Sequence, residues 1–171
     1  MRVIDEIVLS DSNTLEAVEA FLNRIADPDP QFAAPIREIR VYGDASGNSR
    51  TTKSARTDYE LIRRAFQQHP EYRLDTRTNT SNPAVKDRVN AMNAMLCDAA
   101  GQRHVFIDPK CRELIKDLRQ VRWKRDNAGN PLGDLDKSDA KRTHTSDALS
   151  YCVAREFDLR GRVGEVALFL R

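Results

Sequence analysis

Residues 36–66, IREIRVYGDASGNSRTTKSARTDYELIRRAF, decide the fold class of this chain. Ile36, Ile39 and Val41 lie in a short stretch that stops at the turn pair Gly43-Asp44, so 36–44 is predicted to be a strand. ASGNSRTTKSART is a polar loop. Thr57 or Asp58 then starts a helix through Phe66, with Tyr59, Leu61, Ile62 and Phe66 on its apolar side. A strand, a polar loop and an amphipathic helix in succession form the repeating unit of an α/β fold.

The alternation continues in both directions. Upstream, RVIDEIVL (2–9) is short and rich in β-branched residues and predicts a strand. It is followed by a helix that Ser12, Asn13 or Thr14 can cap, with Leu15, Val18, Phe21, Leu22 and Ile25 at helical spacing. The prolines of DPDPQFAAP end that helix. Downstream, YRLDTRT (72–78) predicts a strand, and Asn82-Pro83 opens a helix over 83–99 that keeps Val85, Val89, Met92 and Leu96 on one face. RHVFID (103–108) is a strand stopped by Pro109, and CRELIKDLRQV a helix around Leu114, Ile115 and Leu118. Residues 124–142 are almost entirely polar, with two glycines and a proline, and read as a mobile loop. The last helix runs from Thr145 to Phe157, with Leu149, Val153 and Phe157 along its apolar stripe.

A length of 171 residues suits one domain, 1–171, with a core at 1–157 and a tail at 158–171. Hydrophobic residues make up 40% and charged residues 32%, enough for one core under a charged surface. No apolar run approaches the roughly 20 residues that cross a bilayer. Asp5 and Glu6 interrupt the first apolar stretch, unlike a secretory signal, so the expected location is the cytosol with no membrane partner. Cys97, Cys111 and Cys152 form no C-x-x-C pair, which argues against zinc and a disulfide framework.

The net charge of +2 does not by itself announce a nucleic-acid binder. Between Lys110 and Arg125, however, seven basic residues face only Glu113 and Asp117, which is either a solvated helix face or a phosphate-contacting stripe. Three constellations could carry chemistry. Asp44 closes a predicted strand, where α/β sheets gather ligands and a carboxylate can hold a hard cation; equally, Asp can simply turn the chain. His144 and Asp147 stand at i and i+3 on a helix just begun, so they share a face and could ligate one divalent ion or hold a water. Thr143 or Thr145 as a cap, with Asp147 favouring the helix dipole, explains the same residues. Asn82-Pro83 with Lys86, Asp87 and Arg88 puts basic side chains in the first turns of a helix, where a phosphate can also meet free backbone N–H groups.

In order, VIDEIVLSDSNTLEAVEAF, VYGDASGNSRTTKSARTDYELIRRAF, SNPAVKDRVNAMNAML, FIDPKCRELIKDLRQV and DK…THTSDALSY resemble the nuclease half of tailed-phage terminase large subunits, over residues 3 to about 155. The resemblance implies an RNase H-like α/β fold, a mixed sheet flanked by helices, in which acids from two strands and one helix bind two Mg²⁺ or Mn²⁺ ions. Asp44 matches the acid ending the fourth strand, and Asp147, in the DAL motif, the acid on the last helix. His144 falls where many terminases carry another acid, and its spacing to Asp147 is similar to that of RuvC-type nucleases. The family's first acid lies in an Asp-Phe-Asn-like sequence on an opening strand that this chain lacks, so the implied domain is N-terminally truncated. A Walker A motif is also absent, and with it the ATPase motor.

The resemblance therefore implies a metal-dependent endonuclease that cuts concatemeric viral DNA in the host-cell cytoplasm. Asp44, His144 and Asp147 would be the catalytic metal ligands, and Lys86, Arg88, Lys116 and Arg119 would contact the phosphates of duplex DNA. In a full-length protein the partners would be an ATPase domain, the portal and the small terminase subunit, and open strand edges would favour self-association. The alternatives are a catalytically inactive DNA- or partner-binding module of the same fold, and a relative of RuvC-type resolvases.

Overall fold

The computed structural model describes residues 1–26, 36–50, 55–139 and 142–157, which form two compact units. The tail at 158–171 lies outside the described residues.

One unit comprises residues 7–82. Its first helix, α1 (Thr14–Ala26), is capped by Asn13, whose side chain accepts from the N–H groups of Leu15 and Glu16 while the Glu16 carboxylate accepts from the Asn13 N–H. That reciprocal pair selects Asn13 among the three candidate caps. β2 (Glu38–Val41) pairs in parallel with β3 (Arg73–Thr76), placing Ile39 opposite Leu74 and Val41 opposite Thr76. Between them, α2 (Asp58–Phe66) begins in a capping box made by Thr57 and Glu60. Val18, Ile39 and Phe66 are the buried centre. Phe66 meets the rings of Phe21 and Tyr72, each with its centroid 6.4 Å away. Leu15, expected on the apolar face, is instead 51% exposed.

The other unit comprises Met1–Glu6 and the chain from Pro83 onward. β1 (Arg2–Val3) pairs in parallel with β4 (Phe106–Ile107). The strand expected over 2–9 therefore ends after two residues. Glu6 explains why: its carboxylate accepts from the N–H groups of Glu113 and Leu114, two orphan donors at the start of α4 (Arg112–Gln120), and that bond draws the chain away from the ladder. α3 (Val85–Leu96) and α5 (His144–Glu156) supply the core, with Ala91, Met92, Met95, Val105 and Val153 at its centre. The buried side of α3 is centred on Arg88, Met92 and Met95 rather than on Val85, Val89 and Leu96.

The expectation of a mobile loop over 124–142 is corrected. β5 (Trp123–Arg125) and β6 (Pro131–Leu135) form an antiparallel hairpin. Asp126 closes its turn by accepting from the N–H groups of Ala128 and Asn130, and Gly129 adopts φ +88. Burial is not what orders this segment, because nearly all of it is exposed; ladder hydrogen bonds and an Asx-type turn do. Among the described residues every sheet has two strands, two parallel pairs and one antiparallel, so the α/β class holds without a wide mixed sheet. No described helix is long and apolar enough to cross a membrane.

Candidate metal centre

Asp44 follows β2 and caps a short 3₁₀ turn, Ala45–Asn48. Its Oδ1 accepts from the Ser46 N–H at 2.6 Å and from the Asn82 amide at 2.8 Å. The Asn82 carbonyl oxygen accepts in turn from the Ala45 N–H at 2.8 Å, so one side chain holds both the carboxylate and its loop. From below, the Tyr59 hydroxyl donates to the Asp44 carbonyl at 2.7 Å. Burial, then the negative charges of Asp44 and Asp58, push the Tyr59 phenol up from its ordinary pKa, so it stays a donor. The ring approaches so closely that a Cβ at Gly43 would lie 2.5 Å from the Tyr59 hydroxyl, and one at Gly47 2.7 Å from the ring. Both glycines are thus required by the tyrosine that pins the loop. The Gly-Asp-Ala-Ser-Gly sequence does more than turn the chain: it presents a carboxylate fixed by donors on one oxygen.

In the other unit, Asp147 lies in the first turn of α5. Arg88, only 5% exposed, donates from Nη1 to Asp147 Oδ1 at 2.9 Å and to Ser150 Oγ at 2.6 Å, and its guanidinium lies 4.4 Å over the Tyr151 ring. The Lys137 ammonium, on an exposed side chain that follows the hairpin, stands 3.5 Å from Asp147 Oδ2. Asp147, Arg88, Ser146 and Ser150 line a cavity of about 240 Å³ together with Leu118 and Trp123. His144 is the first residue of α5 and is exposed.

The start of α5 is not capped by a threonine of its own. Thr143 sits at φ 78 with no side-chain cap bond. Asp117, on α4 and 1% exposed, takes over: it accepts from the Thr145 and Ser146 N–H groups and from the Thr145 hydroxyl at 2.7 Å. Arg142 joins Asp117 to Glu113, at 3.2 Å and 2.8 Å, and fixes the chain entering the helix. Hydrogen bonds first from Lys116 and then from Arg142 hold the Glu113 carboxyl below the usual carboxylate range.

A family model described as a terminase RNase H-like domain matches residues 11–156, and so takes in residues of both units. The chain belongs to this terminase RNase H-like family. No curated protein and no solved structure matches it.

Carboxylates are donors of the kind a hard cation takes, but among the described residues they do not gather into a ligand set. Asp44 and Asp147 are carboxylates whose Oδ1 atoms are held by fixed N–H donors, and Asp147 Oδ2 already faces a cationic group. Among the described residues no group of three or more His, Cys, Asp or Glu side chains stands close enough together to hold an ion. Asp44 belongs to the 7–82 unit, His144 and Asp147 to the other.

The assignment of Arg88 to a DNA backbone is corrected. A guanidinium buried to this degree and spent on Asp147, Ser150 and Tyr151 is an internal partner rather than a surface contact. Lys86 on α3 and Lys116 and Arg119 on α4 are exposed. Five residues that sequence reasoning left without these roles emerge from the structure: Asn82, Tyr59, Arg88, Asp117 and Glu6. Only Asn82 and Arg88 gave a signal, a polar pair of positions flanking a helix start, and it pointed to phosphate.

Proposed function

We propose that this terminase domain is a metal-dependent endodeoxyribonuclease acting on duplex DNA, with Asp44, His144 and Asp147 as its Mg²⁺ or Mn²⁺ ligands. The observation that carries the reading is the state of Asp147, a carboxylate at the start of a helix with one oxygen held by a buried arginine and the other turned to the ammonium of an exposed lysine. Bound divalent ions would supply Lewis-acid stabilisation of the charge that builds on a phosphodiester during hydrolysis. For the protein itself, Asn82 and Tyr59 hold Asp44, Arg88 holds Asp147, and Asp117 holds the start of the helix that carries both Asp147 and His144. Lys86, Lys116 and Arg119 are assigned to the DNA phosphates, which position a duplex without reading its sequence. In a full-length terminase the partners would be an ATPase domain, a portal and a small subunit.

Nicking of supercoiled plasmid tests the proposal. Nicking by the chain is expected to be weak and to require Mn²⁺, vanishing in EDTA, and Asp44→Asn and Asp147→Asn are each expected to reduce it to background. Metal-dependent nicking that survives both changes would remove these residues from the chemistry. A catalytically inactive DNA-binding module is the second reading, favoured by the pairing of both Asp147 oxygens with cationic side chains, Arg88 and Lys137. It requires salt-sensitive DNA binding without nicking at any Mn²⁺ concentration.

A further inference from the structure

The 3₁₀ turn that Asp44 caps, Ala45–Asn48, leads within two residues to Arg50. Arg50, Arg56 and Arg64 line one open recess of about 550 Å³ with Ala55 and Glu60, large enough to admit a phosphodiester group. All three arginines are exposed. Glu60 is the one carboxylate among these lining residues, and it is already engaged: its Oε2 accepts from the Thr57 N–H at 2.8 Å in the capping box of α2. That bond first, and the charge of Arg50 after it, hold the Glu60 carboxyl below the usual carboxylate range. Three guanidinium groups around one carboxylate leave the recess with surplus positive charge. Like charges gathered in this way repel, and an anion seated among them relieves the repulsion. A guanidinium fork also matches the oxygens of a phosphate two at a time. The recess shares its foundation with Asp44. On α2, buried Tyr59 donates to the Asp44 carbonyl at 2.7 Å, while Glu60 and Arg64, one turn apart, line the recess.

We propose that Arg50, Arg56 and Arg64 form a docking surface for the phosphate backbone of duplex DNA, within the 7–82 unit and beside the loop that presents Asp44. This rests on the reading of the domain as one that acts on duplex DNA, and adds to it a surface separate from Lys86, Lys116 and Arg119. It needs neither metal nor cleavage. The backbone suits the arrangement because the three guanidinium groups stand on different segments, Arg50 and Arg56 on the loop and Arg64 on α2, where successive phosphates of one strand can meet them. Such contacts fix the register of a duplex and read none of its bases. Set on the same loop and helix as Asp44, they determine which phosphate lies nearest that carboxylate.

The test is binding of a fluorescent duplex of mixed sequence to the full chain, read by anisotropy in EDTA over a sodium chloride series. Each lost phosphate contact takes about 0.9 from the slope of log affinity against log salt. The double variant Arg50→Gln/Arg64→Gln is therefore expected to lower that slope by about 1.8 and to weaken binding to all duplexes alike. Arg50→Lys/Arg64→Lys keeps both charges and should retain the slope of the parent. Arg73→Gln removes a charge from the exposed Arg73 on β3, in the same unit, and should match the parent. An unchanged slope in the glutamine pair overturns the proposal, and so does a lysine pair that behaves like the glutamine pair. An equal loss per charge in Arg73→Gln also overturns it, because the effect would then be one of net charge. The parent chain separates the two levels. If it binds no duplex even at low salt, the DNA reading falls and the surface with it. If it binds with a salt dependence that the glutamine pair leaves untouched, only the surface falls.

Discussion

Arg88 is the residue whose energetics most need its neighbours. A guanidinium buried to 6% exposure loses most of its hydration, and its Nε has no hydrogen-bond partner among the described residues, an arrangement that costs free energy unless the charge is compensated. Asp147 supplies the compensating charge, Ser150 an acceptor and Tyr151 an aromatic face. Removing one partner of such a pair strands the other. Arg88→Met is therefore expected to lower the unfolding free energy by about 3 kcal/mol, the low end for a broken buried pair because Asp147 keeps some access to water. Urea denaturation measures it, and a midpoint equal to that of the parent would mean that the pair contributes nothing. The sequence exposes the two carboxylates, Asp44 and Asp147, because each sits in a short motif at the end or start of an element. It hides their partners: Asn82 is 38 residues from Asp44, and Arg88 is 59 residues from Asp147.

At the scale of elements, two helices borrow their N-terminal caps from distant segments. α4 takes the Glu6 carboxylate and α5 takes Asp117. The two caps differ in burial. Glu6 is half-buried, whereas Asp117 is fully buried and also balances Arg142. Glu6→Ala is expected to cost about 1–2 kcal/mol, the range for a lost cap. Asp117→Ala should cost about 3 kcal/mol or more, because it strands a largely buried arginine as well as helix N–H groups. Thermal or urea unfolding of the two variants side by side decides this; a larger loss in Glu6→Ala would overturn the burial argument. Helix positions were largely legible because apolar spacing of 3.6 residues survives in the sequence, and α1, α2, α4 and α5 lie where that spacing puts them. Strand lengths and the 123–135 hairpin were not, since strand ends depend on which neighbour completes the ladder and the hairpin has little apolar alternation to betray it.

At the scale of the whole molecule, charge rather than shape governs the proposed encounter with DNA. The net charge is only +2, so binding would rest on a few local contacts. Each phosphate that such a contact neutralises adds about 0.9 to the slope of log affinity against log salt. Lys86→Gln, Lys116→Gln and Arg119→Gln are each expected to weaken duplex binding for all sequences alike and to reduce that slope by about one. Fluorescence anisotropy over a salt series reads both quantities. An unchanged slope in all three would move the DNA contact to another surface.

The sequence by itself determined the alternation of strands and helices, the family resemblance and the two acids at element ends. Those features are local: periodicity, turn chemistry and short motifs are written in contiguous residues. Tertiary structure alone decided that Asn82 and Tyr59 hold Asp44, that Arg88 is an internal counter-ion instead of a DNA contact, and that Glu6 and Asp117 cap helices far along the chain. Each is a polar group whose partner is chosen by burial. Desolvation makes an unpaired charge or N–H costly only once folding has removed water from it, and no stretch of contiguous residues records which groups will lose theirs.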